Sequence, residues 1–254
     1  MYKAPMQTAV NAAQARHILG SIDHSLLTPT ATSAELHNLC KVAAHLEVAS
    51  VCLLPYYVPQ AAELLRQSSV AVSTVIAFPH GATPTKAKLL ESMVALDRGA
   101  VELDVVVNVS AVLSDQWNSV RAEIEQLTEL CHGRNARIKL IFENCYLNEA
   151  QKIRLCQICA AAGVDWVKTS TGFGQPASGP AGATPDDLQL MRAHCPKDVQ
   201  VKASGGIRTL AQVRQMLELG ATRVGMSRTE DVARELGVLP GPDAGPDAQD
   251  TCQA

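Results

Sequence analysis

The 254-residue chain is poor in aromatics, with 2 Trp, 4 Tyr and 3 Phe, and it lacks an excess of either charge. Its 22 Lys and Arg stand against 25 Asp and Glu, a net charge of −3. That balance gives no global electrostatic footprint for nucleic acid or for an acidic membrane surface. No apolar run reaches the roughly 18 residues needed to span a bilayer. The N-terminal segment has Lys3 but neither a continuous apolar stretch nor a cleavage-site pattern, so a secretory signal is not expected. Framed cysteine pairs are also missing. Cys40, Cys52, Cys131, Cys145, Cys156, Cys159, Cys195 and Cys252 are scattered, which in a chain of this length fits reduced thiols and a cytoplasmic location. Cys156-x-x-Cys159 lies in a helix-like stretch without a second Cys or His pair at zinc spacing, and reads as two ordinary helix thiols. What remains is 47% hydrophobic and 19% charged, the balance of a soluble globular protein with a sizeable core.

Apolar, β-branched runs alternate with amphipathic stretches along most of the chain. Strands are expected over 21–27, 48–54, 70–78, 100–108, 136–142, 164–168, 199–202 and 221–226. Helices are expected over 8–19, from Thr32 or Ser33 to Leu46, and over 59–67, 84–98, 115–131, 148–162, 185–194, 210–219 and 229–236. Pro84 is placed in a first turn, Asn148 at a cap, and Gly99, Gly163 and Gly220 behind helix ends. Strands that read as continuous apolar runs argue for a parallel sheet covered by helices. Eight such units in about 235 residues fit a (β/α)8 TIM barrel over 1–239, with an extra N-terminal helix, better than an open doubly wound sheet. The Pro, Gly, Asp and Ala of 240–254 read as a disordered tail.

Two strands end in lysine. Asp165-Trp166-Val167-Lys168-Thr169-Ser170-Thr171-Gly172 and Val199-Gln200-Val201-Lys202-Ala203-Ser204-Gly205-Gly206 both pass from an apolar run to an amine and then to a glycine turn. Desolvation lowers the pKa of a buried amine, and so does a second ammonium nearby. A neutral amine is the form that attacks a carbonyl. In a parallel barrel both lysines point to the C-terminal end of the strands, where active sites form. Asp23, Cys52, Asp104, Asn108, Glu143 and Ser227 stand at other strand ends. One lysine would form an imine, and the other would lower its pKa by like-charge repulsion. Asp104 would offset the positive charge and move protons, directly or through a water, and Asp23 would hold Lys202 or the same water network. The residues alone leave either lysine as the nucleophile. Gly205-Gly206 and Gly225-Met226-Ser227, followed by Arg228, fall in the two loops where barrels bind phosphate on backbone N–H groups.

Six segments in order, I-D-H-S-L-L, S-V-C-L-L-P, F-P-H-G, V-E-L-D-V-V-V-N, D-W-V-K-T-S-T-G-F and V-K-A-S-G-G-I-R-T, resemble the deoxyribose-phosphate aldolase family of class I, Schiff-base aldolases. The resemblance implies reversible cleavage of 2-deoxy-D-ribose 5-phosphate to D-glyceraldehyde 3-phosphate and acetaldehyde, without metal or cofactor. It implies Lys168 as the imine-forming residue, with Lys202 and Asp104 as catalytic partners. Asp23, Ser25, Cys52, Thr171, Gly172, Gly205, Gly206, Gly225, Ser227 and Arg228 would meet the substrate. A homodimer is one assembly open to it. Three features depart from the family: Arg228 where a second serine is common, a longer Gly- and Pro-rich loop over 173–182 that could reshape the phosphate end or act as a lid, and no terminal tyrosine. An aldolase for another acceptor and a non-catalytic binding barrel are the alternatives.

Overall fold

A computed structural model describes residues 11–240. The expected tail over 240–254 lies, beyond Pro240, outside the described residues, and so do its end without tyrosine and the first residues of the 8–19 helix. That helix is described as α1 (Ala12–Leu19), with Asn11 capping Gln14 N–H at 2.8 Å. The chain then runs β1 (Ile22–Leu26), α2 (Ser33–Leu46), β2 (Ser50–Leu53), α3 (Val58–Leu64), β3 (Ala71–Ile76), α4 (Thr85–Asp97) and β4 (Glu102–Val106). After α5 (Val109–Leu113) and α6 (Trp117–His132) come β5 (Arg137–Ile141), α7 (Glu149–Ala162), β6 (Trp166–Lys168), α8 (Pro185–His194), β7 (Gln200–Ser204), α9 (Leu210–Glu218), β8 (Arg223–Met226) and α10 (Thr229–Glu235). All eight strands pair in parallel in chain order, and β8 pairs with β1 to close the barrel.

Local chemistry fixes the helix starts. Thr32 and Glu35, Asn148 and Gln151, and Thr209 and Gln212 form reciprocal capping boxes, and Gly163 takes the left-handed conformation behind α7. Two expectations are corrected. Pro84 stands at the cap before α4, not in its first turn. Asn108 caps the short α5 by accepting from Ala111 N–H at 3.1 Å, and Asp115, with φ 55°, breaks the chain before α6. Seven of the strands are shorter than the expected runs, because their flanks turn into loops, whereas β7 runs on past Lys202 to Ser204, paired with β8.

Strand side chains alternate between two layers. Leu103, Leu140, Val167, Val201 and Val224 face the helices and are fully buried. The barrel interior is charged instead: Asp23, Glu102, Asp104, Lys139, Lys168 and Lys202 are all buried there. Trp166, also buried, lies near the cationic side chains of Arg137, Lys139 and Arg223, with 5.2 Å from the Arg223 guanidinium to its ring centroid.

Candidate active site

Register brings the two lysines together. Lys168 on β6 pairs directly with Lys202 on β7, so the two side chains leave neighbouring strands at one level and on one side. Asp104 Oδ2 accepts from both ammonium nitrogens at 2.7 Å. Lys202 also donates to Asp23. Gly225, one strand further, makes room: a Cβ there would lie 3.1 Å from Lys202 Cε and 3.0 Å from Ser204 Cβ.

The charges continue below this pair. Lys139 reaches Asp104 Oδ1 at 2.8 Å, Glu102 at 2.6 Å and Asp23 at 3.6 Å. Arg223 donates to Asp23 at 2.5 Å and to Glu102 at 3.0 Å. Ser73 donates to Asp104 Oδ1 at 3.3 Å. The cluster thus holds four basic side chains, Lys139, Lys168, Lys202 and Arg223, against three carboxylates, Asp23, Glu102 and Asp104. With all seven ionised it carries one positive charge in excess, and the excess falls on the amine with the weakest support. Lys139, Lys202 and Arg223 each touch two or more carboxylates, whereas Lys168 touches one.

The pKa shifts follow that count. Burial holds the Lys168 amine below the usual lysine range; Asp104 opposes this and the Lys202 charge adds to it. Like-charge repulsion therefore contributes, and desolvation is the larger cause. Burial works against the Lys202 ammonium as well, yet Asp104 and Asp23 outweigh it and hold Lys202 above the ordinary value. Burial would keep Asp104 neutral, but Lys139, Lys168 and Lys202 hold it well below the carboxylate range. Burial and then Asp104 push the Cys52 thiol up.

Above the lysines opens a cavity of about 460 Å³ at the C-terminal ends of the strands. Ser25, Cys52, Lys168 and Lys202 line its depth, Thr171, Gly172, Gly205 and Gly206 one wall, and Gly225, Ser227 and Arg228 the other. Two members of the expected set are not on its surface. Asp104 lies beneath the lysines, and Asp23, expected to meet substrate, is fully buried among Lys202, Lys139 and Arg223. Asn108 is elsewhere, beside Glu123 and Thr85.

A family model for DeoC/LacD family aldolases matches residues 18–241. The chain belongs to the DeoC/LacD aldolase family. A deoxyribose-phosphate aldolase of Rhodopirellula baltica is 51% identical over 84% of this chain and 87% of its own length. One from Carboxydothermus hydrogenoformans is 42% identical over 85% of this chain and 93% of its own. The solved structure of the tetrameric deoxyribose phosphate aldolase from Aeropyrum pernix superposes with a TM-score of 0.81 at 29% identity, covering 90% and 94% of the two chains.

This member of the DeoC/LacD family has site residues that strand-end reasoning misses. Lys139, Glu102 and Arg223 lie within or at the start of strands, where cross-strand register, not sequence neighbourhood, brings them together. Their one signal is charge at alternate positions of otherwise apolar runs, as in Arg137-Ile138-Lys139-Leu140-Ile141. Arg208 and Phe173 also line the cavity. Arg228 stands at the rim with its side chain exposed and 3.7 Å from Asp231. The loop over 173–182 is tied down at both ends. Gln175 N–H donates to Tyr146 Oη at 2.8 Å, and Ala183 N–H donates to the carbonyls of Ser204 and Gly205 at 3.0 and 3.1 Å.

Proposed function

We propose that this aldolase cleaves 2-deoxy-D-ribose 5-phosphate, reversibly, to D-glyceraldehyde 3-phosphate and acetaldehyde through an imine on Lys168. The observation that carries the proposal is the shared Asp104 oxygen under Lys168 and Lys202, of which Lys168 is held below the lysine range and Lys202 above it. The names of the Rhodopirellula and Carboxydothermus relatives support the substrate.

The neutral amine of Lys168 adds to C1 of the open-chain aldehyde, and loss of water, with one proton taken up from solvent, gives a protonated imine. That step returns the excess positive charge to the buried cluster. The excess draws the electron pair of the C2–C3 bond toward nitrogen. As the bond breaks, the C3 hydroxyl gives up its proton and becomes the aldehyde of glyceraldehyde 3-phosphate, and the nitrogen becomes that of a neutral enamine. We assign the proton to the Asp104–Lys202 pair, relayed by water, and the same pair returns it to C2 of the enamine. Water then releases acetaldehyde and regenerates the amine. The phosphate is assigned to Gly172, Gly205, Gly206 and Ser227, whose backbone N–H groups suit an anion, with Arg208 and Arg228 at the rim. Asp23 is assigned to holding Lys202, not to the substrate.

A coupled assay for glyceraldehyde 3-phosphate tests the proposal. Wild type should turn over the 5-phosphate in strong preference to 2-deoxyribose, and Lys168→Leu should have no activity. Equal use of the two sugars would favour an aldolase for another acceptor, and no turnover of either would favour a binding protein. Among the described residues no helix is long and apolar enough to cross a membrane, and the seven described cysteines are free thiols, which supports a reducing, cytoplasmic setting. A homodimer is proposed through α4, where Leu90 and Val94, one turn apart, are both exposed. Sedimentation should give a dimer for wild type and a monomer for Leu90→Glu; a wild-type monomer would refute it.

A further inference from the structure

Glu143 follows β5 at the mouth of the barrel, yet it does not line the cavity and caps no helix with its side chain. Its side chain is buried, and its backbone takes the left-handed conformation, φ 56°, which few residues other than glycine adopt. Both donors of Thr171 are spent on it. Thr171 N–H lies 3.2 Å from Oε1 and 3.3 Å from Oε2, and Thr171 Oγ1–H donates to Oε2. Thr171 Oγ1 in turn accepts from Phe173 N–H at 2.9 Å. Among the described residues the one other hydrogen-bonding neighbour of Glu143 is the Cys145 thiol, 4.0 Å away, and the Lys168 charge acts on the carboxylate from farther off. Gly174 presses on the same group: a Cβ there would lie 3.3 Å from Oε1 and 2.7 Å from Cys145 Sγ. Thr171, Gly172 and Phe173 form one wall of the cavity.

Resting on the function proposed above, we infer that Glu143 is a positioning residue that fixes the Thr171–Phe173 turn, and thereby the shape of the phosphate end of the site. Thr171 then serves as a strut, with no proton left to offer a phosphate; the anion meets the backbone beyond it.

The test measures KM for 2-deoxyribose 5-phosphate beside the rate at which borohydride traps acetaldehyde on the enzyme, a reaction that needs Lys168 but no phosphate wall. Glu143→Gln keeps the volume but loses an acceptor, so KM should rise about tenfold, the loss of one charge-assisted hydrogen bond. The trapping rate should stay within about twofold, since an effect confined to the wall is worth little at Lys168. In a Thr171→Val background, Glu143→Gln should add almost nothing to KM. Unchanged KM, a parallel fall in trapping, or a full additive effect in that background would each overturn the inference. Should Glu143→Gln fail to fold, Thr171→Ser and Thr171→Val decide: Ser should keep the wild-type KM and Val should raise it, and equal values would overturn the inference. Absence of trapping in wild type would instead sink the imine itself.

Discussion

At the level of single residues, the site is governed by a count of charges. Removing Lys168 leaves three cations against three carboxylates, with Asp104 still held by Lys139 and Lys202. Lys168→Leu should therefore fold with an unchanged or raised melting temperature. Removing Lys139 also leaves three basic side chains, but it takes the one that touches Asp23, Glu102 and Asp104 together, and balance then requires the weakly supported Lys168 to be charged, so Lys139→Met should lose about 3–5 kcal/mol in denaturant unfolding. Equal stability of the two variants would show that the cluster does not work by balance. Lys202→Leu removes a repelling ammonium and one of the balancing cations, so Lys168 must hold its proton more tightly. Its pKa rises, and the activity profile should move to higher pH, by about one unit or more. An unmoved profile would mean that Lys202 does not act on Lys168. Lys168, Lys202 and Asp104 were legible in the sequence because a charge that ends an apolar strand has few structural reasons to be there. Lys139, Glu102 and Arg223 were not, because their partners come from strands dozens of residues away, and only register makes them neighbours.

The elements were legible wherever a local signal fixed them. Capping residues such as Asn148 and glycine stops such as Gly163 mark helix ends with their own hydrogen bonds. Asn108 misled for the same reason in reverse: a polar residue behind a strand can serve the next helix as readily as the active site. The loop between β6 and α8 could not be placed from its composition. It returns to β7 at Gly182, where a Cβ would stand 2.2 Å from the Gly205 carbonyl oxygen. Gly205, with φ 87°, is itself in the conformation that favours glycine. Gly182→Ala should push the loop off the Gly205–Gly206 turn, lowering stability by about 1–3 kcal/mol and raising KM for the phosphorylated sugar. A variant with wild-type KM would separate the loop from the phosphate end.

For the whole molecule, the polar centre sets the response to acid. Asp23 and Asp104 are held below their ordinary values by the surrounding cations, although burial opposes it. Carboxylates depressed in this way stabilise the fold fully above their unfolded pKa of about 4, and the contribution is lost as pH falls through the folded values. Burial also holds His24 down at about 4, so between about pH 6.5 and 4 the unfolded chain takes up a proton there that the folded chain does not, and the melting temperature should decline over that range and fall more steeply below it. A melting temperature unchanged from neutrality to well below pH 4 would contradict both contributions. Lys202 and Lys139 are shifted the other way, upward, as Asp104 and Asp23 outweigh burial for both, so their contribution persists through neutral pH and fades only in strong alkali. The closed barrel makes this possible, since eight parallel strands bring charges from β1, β4, β5, β6, β7 and β8 to one dry centre beneath a wet cavity. Trapping acetaldehyde with borohydride across a pH series, with the modified lysine mapped by mass spectrometry, tests that arrangement most directly. An adduct on Lys168 alone is expected, with a midpoint below the ordinary lysine value of about 10.4. An adduct on Lys202, or a midpoint at the ordinary value, would contradict that arrangement.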